Sequence, residues 1–179
     1  RQLLVKENGG WYFTHADMNT GKKTFPYYGA LDAFYAGLLA LSGDTSTAAK
    51  IQQGNFHLWT RFNMEPEAFD FRRDTLVYNG YYLRPENLES CFYLYQFTKD
   101  DQYLRMGKRM IDDVLKNCKT PSGYAAIEDV KTMKQGDYME SFFFAETLKY
   151  SYLLFAPEGT IDLSKIVFNT EAHPLLIKK

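Results

Sequence analysis

Between Asp137 and Tyr152 the chain reads Asp-Tyr-Met-Glu-Ser-Phe-Phe-Phe-Ala-Glu-Thr-Leu-Lys-Tyr-Ser-Tyr, a run too apolar for a surface helix that still carries Glu140 and Glu146. Taking a carboxylate out of water costs several kcal/mol unless a cation or donors meet it, so such groups are either paired or used in chemistry. Two shorter segments share this mixed character. They are Arg84-Pro85-Glu86-Asn87-Leu88-Glu89-Ser90 and Val167-Phe168-Asn169-Thr170-Glu171-Ala172-His173-Pro174. A fold that buries all three must pair each set of acids separately or gather them at one site.

The chain is long enough to bury them: 179 residues, 45% hydrophobic, support one domain with a sizeable core and exclude general disorder. Lys and Arg number 21 against 22 acids, a net charge of -1 that argues against a nucleic-acid or anionic-membrane partner. The 17% aromatic fraction is the informative excess, because such rings either build a core or offer stacking faces of the kind sugars use. No segment approaches the ~20 apolar residues that span a bilayer. The chain opens at Arg1 with neither an initiator Met nor a charged-then-apolar leader, so any secretory signal is expected to be removed or to lie outside it. Cys91 falls on an apolar helical stripe and reads as a small hydrophobe, whereas Cys118, before Lys119-Thr120-Pro121, is expected to be accessible and able to pair with a cysteine elsewhere.

Residues 1–28, broken by glycines and Pro26, read as a strand or hairpin and a loop. From Ala30 a helix is expected with Leu31, Phe34, Leu38, Leu39 and Leu41 as its apolar stripe. A second, capped by Asp44 or Thr45, runs through Ile51, Trp59 and Phe62 with Gly54 as a weak point. Residues 63–82 read as a loop. Pro85 suits the first turn of a third helix carrying Leu88, Cys91, Phe92 and Tyr95. A fourth, after Lys99-Asp100-Asp101, runs from Tyr103 to Cys118. Residues 123–130 read as a strand or hairpin arm, 138–155 as a fifth helix and 166–168 as a short strand. The sum is an all-α chain of five helices in antiparallel pairs with short β-hairpins between them, as in helical solenoids or α/α barrels. Its apolar surface exceeds what five helices can shield, which points to part of a larger closed structure.

Glu86 and Glu89, three apart in a first helical turn, share one face near a helix N-terminus that favours their ionised form, and Arg84 can pair with either. Taken alone they also fit an ordinary capped helix. Glu140 and Glu146 are six apart, about 240° around a helix, so at most one faces a given cavity. Glu146 can equally make a surface pair with Lys149. Asn169-Thr170-Glu171 offers the hydroxyl, amide and carboxylate oxygens that hard cations such as Ca²⁺ take, without a twelve-residue loop signature. His15, His57 and His173 show no metal-ligand spacing.

Three motifs in one order carry a resemblance: Arg84-Pro85-Glu86-x-x-Glu89-Ser90, Met139-Glu140-Ser141-Phe142-Phe143-x-Ala145-Glu146-Thr147, and Phe168-Asn169-Thr170-Glu171-Ala172-His173-Pro174. Together they resemble the class I α-1,2-mannosidases, glycoside hydrolase family 47. The resemblance implies an (α/α)7 barrel of which residues 1–179 are the C-terminal portion of one catalytic domain. It implies Glu86 as the general base for the attacking water, with Arg84, Glu89, Glu140, Phe142 and Glu146 lining the sugar subsite. Thr170 would bind one Ca²⁺ through hydroxyl and carbonyl, with Glu171 acting through water. The reaction implied is inverting, with an ionised base set back to admit a water.

Where the family's ER and Golgi processing enzymes carry a His and a Cys, this chain has Ala30 and Ala33. It is in that respect more similar to the ER degradation-enhancing α-mannosidase-like branch, and within it to a fungal member. That branch implies an ER-lumenal protein acting on high-mannose N-glycans of misfolded glycoproteins, with a protein disulfide isomerase-type oxidoreductase as partner. The general acid is expected upstream of residue 1, so this segment without the rest of the same enzyme is expected to be inactive. A mannose-binding lectin or chaperone adaptor with the same pocket is the competing reading, and a purely structural helical scaffold the third.

Overall fold

The computed structural model describes residues 2–178. A hairpin of β1 (Leu4–Glu7) and β2 (Gly10–Phe13) opens the chain and lies on α2 (Thr45–Phe62). Gly54 is therefore not a weak point: a Cβ there would run into the Trp11 carbonyl of β2, so the close approach requires glycine. Asp44 caps α2 by accepting from the Thr47 amide at 3.1 Å.

The first helical region divides into a 3₁₀ turn, Ala30–Ala33, and α1, Phe34–Leu41. Most of its apolar stripe is the outer face, only Leu39 packing against the core. Leu31, Phe34, Leu38 and Leu41 are all exposed by 41% or more, while Ala33, Ala36, Gly37 and Ala40 are buried. The small face is the one that lets α1 and α3 (Glu86–Thr98) approach closely, with the Gly37 amide donating to Ser90 Oγ at 2.8 Å.

Residues 63–82, expected as a loop, contain β4 (Ala68–Asp70) and β5 (Thr75–Tyr78), which join β3 (Tyr27–Gly29) in an antiparallel sheet of order β3-β4-β5. The reversal forms because Asp70 Oδ1 accepts from the Arg72 and Arg73 amides, an Asx turn, while Phe69 is fully buried. Pro85 sits one residue earlier than expected, as the residue capping α3.

Helix α3 is central and touches α1, α2, α4 (Gln102–Asn117) and α5 (Leu148–Phe155). In α4, Tyr103, Gly107, Met110 and Val114 form the buried stripe, and Gly107 admits Leu154 of α5 where a Cβ would not fit. Across the core Trp59 packs edge-on to Tyr81 at 5.3 Å, and its indole N–H donates to Asp113 at 2.9 Å. Cys118 is not accessible. It is completely buried, its Sγ 3.9 Å from Met64 Sδ, because β6 (Lys119–Thr120) and β7 (Gly123–Tyr124) fold back over the helix end; burial pushes its thiol up to about 12. Cys91 is buried too, as expected.

Beyond β8 (Ile127–Asp129) and β9 (Lys134–Gln135), residues 138–141 are not helical. The Tyr138 carbonyl instead accepts from the Ala126 amide, which draws this stretch alongside the preceding hairpin. The helix starts at Phe142 and opens with a widened π turn, Phe143–Thr147, before α5. The chain closes with β10 (Ile166–Phe168), which pairs antiparallel with β11 (Pro174–Leu176).

Candidate active site

The helix from Phe142 ties its two flanking segments together. Thr147 Oγ1 donates to the Leu83 carbonyl at 2.6 Å, just before the Arg84 motif, and Lys149 Nζ donates to the Ala172 carbonyl at 2.8 Å, within the last motif. Leu83 and Ala172 are both left-handed, at φ of 60° and 53°, a conformation unfavourable for such residues by on the order of 1 kcal/mol unless the surroundings enforce it. Both are fully buried. The π turn thus sits between two pinned segments, and Lys149 is engaged with backbone.

The outcome is a cleft of about 460 Å³ lined by Arg84, Glu86, Glu89, Phe142, Glu146 and Thr170, with Leu31, Phe34, Pro85 and Asn169 completing its walls. Six of the eight residues singled out from sequence therefore meet in one place. Glu140 and Glu171 do not line it, although Glu140 is near enough to act on the Arg84 charge and Glu171 on Glu146. Glu146 faces the cleft and Glu140 does not, but helical spacing does not decide it, because Glu140 precedes the helix that starts at Phe142.

Electrostatics here depart from the helix-terminus expectation. Burial pushes Glu86 up to about 7, against the pull of its own backbone amide and Arg84, with Glu146 and Glu67 adding repulsion. Burial likewise lifts Glu89 to about 7, although Tyr150 donates to its Oε1 at 3.1 Å. Glu146 is raised by burial and by Glu171. Desolvation outweighs the α3 N-terminus because these side chains lie in the cleft floor, away from bulk water. Glu86 Oε2 is buried without a partner among the described residues. Such an atom is where a water, cation or substrate hydroxyl would be received.

The surrounding contacts place Arg84 and the ring of Phe142. The guanidinium makes two bonds to Glu67, at 2.9 and 3.0 Å, and lies 5.2 Å from the Phe142 centroid. Asn169 Oδ1 accepts from the Glu171 and His173 amides, shaping the turn that carries Thr170. Sequence reasoning missed Glu65 and Glu67, which it left in a loop. Nothing in the local pattern marks them as interior.

Among the described residues no group of three His, Cys, Asp or Glu side chains is arranged to hold a metal. The oxygen set of the cleft nonetheless suits a hard cation: a threonine hydroxyl and carbonyl in an exposed turn, nearby carboxylates, and the unpartnered Glu86 oxygen.

The sequence profile of glycosyl hydrolase family 47 matches residues 1–177. The chain is 40% identical over 174 residues to Alpha-mannosidase I MNS5 of Arabidopsis thaliana, covering 95% of this chain and 30% of that protein. It is 42% identical over 150 residues to ER degradation-enhancing alpha-mannosidase-like protein 3 of Homo sapiens, covering 82% and 16%. Its structure matches the alpha-1,2-mannosidase from Trichoderma reesei with a TM-score of 0.87 at 28% identity, over 98% of this chain and 44% of that one. The chain spans about a third or less of the length of these curated relatives.

Proposed function

The chain belongs to glycosyl hydrolase family 47, and on that premise we propose that it supplies the base side and sugar-binding floor of an inverting, Ca²⁺-dependent α-1,2-mannosidase. The proposed substrate is the high-mannose N-glycan of misfolded glycoproteins in the endoplasmic reticulum lumen, trimmed for ER-associated degradation. The observation that carries this reading is the meeting of Arg84, Glu86, Glu89, Phe142, Glu146 and Thr170 in one cleft.

In this reading Glu86 is the general base. An acid constant at about 7 suits a base working near neutrality, since it is available ionised yet strong enough to take a proton. Its buried, unpartnered oxygen would accept the proton of the attacking water. Phe142 offers an apolar face to the sugar ring, held by Arg84, which Glu67 fixes in turn. Glu89 and Glu146 would accept from sugar hydroxyls, with Glu140 and Glu171 acting from outside the cleft. Thr170 would hold Ca²⁺, Glu171 supporting it through water; when bound, the ion supplies a grip on sugar hydroxyls. In the same reading this chain is the C-terminal part of an (α/α)7 barrel, and the rest of the barrel with the general acid is assigned to chain beyond these residues. A disulfide isomerase-type partner remains part of the proposal, but neither Cys91 nor Cys118 presents an accessible thiol to it.

The test is mannose release from a denatured high-mannose glycoprotein by the full-length protein with its partner. Release abolished by Glu86→Gln supports the reading. Glycan binding without any release would instead identify a lectin.

A further inference from the structure

Glu65 is the most enclosed carboxyl among the described residues, with 0% exposure. Its Oε2 accepts from Tyr28 Oη and from Asn87 Nδ2, each at 2.9 Å, and its Oε1 has no partner. The direction of these bonds is set from outside. Gln52 Nε2 donates to Asn87 Oδ1 at 2.7 Å, so the Asn87 amide nitrogen is left to donate and Glu65 Oε2 must accept. No ion pair reaches Glu65 among the described residues, and the guanidinium of Arg84 is committed to Glu67. The groups around it are Tyr28 on β3, Tyr81 before α3, Glu67 on its own segment, and Glu86 and Cys91 on α3. None of these is a cation.

An ionised carboxylate in this place would be a buried charge met by two neutral donors and pushed by Glu86 and Glu67. A neutral acid keeps both bonds and leaves one O–H unmet, which is far cheaper. Asn87 directly follows Glu86, and Glu67, two residues from Glu65, grips Arg84. The segment Glu65-Pro66-Glu67 therefore holds both sides of the turn that carries Glu86. We infer that Glu65 is a positioning residue that works as an uncharged acid: it anchors Asn87, and through it the first turn of α3, so that Glu86 stays in the cleft without a second buried charge behind it. Burial pushes Glu65 up to about 8, in the same sense. The effect on catalysis rests on the mannosidase reading; the anchoring and the neutral state do not.

The experiment compares full-length wild type with Glu65→Gln and Glu65→Ala. Glutamine can accept both bonds through its carbonyl and places its amide at the unpartnered oxygen. Hydrogen exchange across residues 84–90 is expected to speed about tenfold in Glu65→Ala and to stay at the wild-type rate in Glu65→Gln; equal rates in all three overturn the anchoring. The neutral state is read from stability against pH. The unfolded acid ionises near 4.5 and the folded one near 8, so the wild type should lose stability relative to Glu65→Gln as pH rises from about 5 to 8 and run parallel above. Parallel curves throughout overturn the uncharged acid. On mannose release, Glu65→Ala should lower kcat about tenfold with KM held, and Glu65→Gln should restore it to within about twofold. A full kcat in Glu65→Ala overturns the catalytic role. A wild type that releases no mannose overturns the mannosidase reading and with it that role, while exchange and pH still decide the anchoring and the neutral state.

Discussion

Helix α4 and the first turn of α3 lie in the same core yet obey different rules. Along α4 every apolar side chain of the main stripe is inside and the charges are outside except Asp113, which is buried where it accepts from the Trp59 indole and from Arg109, while Lys108 and Asp112 pair in water. At the start of α3 the pattern inverts. Glu86 and Glu89 lie in the cleft floor, Asn87 and Ser90 are completely buried, and the residue before the motif holds a left-handed backbone. A helix that only needs to fold can follow its periodicity. The violations gather where burial, hydrogen bonding and charge are all arranged around an open cleft.

That contrast can be broken by separating activity from stability. Glu86→Gln is expected to cut mannose release by about 10²–10⁴-fold while leaving the melting temperature unchanged or raised, since it removes a buried, partly unpartnered acid. A variant that melts earlier in step with lost activity would make Glu86 structural. Met110→Ala in α4 should behave oppositely, costing about 2–5 kcal/mol in denaturant unfolding with glycan affinity retained. Loss of glycan binding in the still-folded protein would blur the distinction. Thr170→Ala should weaken Ca²⁺ binding about tenfold, read by calorimetry on the full-length protein; unchanged affinity would remove Thr170 from the ion. The smallest effect belongs to a site outside both regions. Asp44→Ala, which loses the cap of α2, should cost about 1 kcal/mol and leave release untouched.

Much of the site was readable before any coordinates. The three motifs name six cleft residues because each has its chemistry in its own side chain and its place in a short local pattern. Glu65 escaped because its character comes from Tyr28, 37 residues away, and Asn87, 22 residues away. The loop expected over residues 63–82 hid two strands for a related reason: their partner, β3, is distant in sequence. The same holds for Cys118, which a helix end made look exposed and a returning hairpin covered.

Helix periodicity, caps and motif order are short-range properties, and they sufficed for five helices, the opening hairpin, the strands within residues 123–130 and 166–168, and the family. Which face of α1 turns inward was beyond them. Leucine and phenylalanine make the more hydrophobic face, but alanine and glycine make the one that lets α3 come close, and the geometry of approach prevailed over hydrophobicity. The protonation of Glu65 and the raised acid constants of Glu86 and Glu89 have the same origin. Desolvation depends on what lies within a few ångströms in space, and that neighbourhood exists only once the chain has folded.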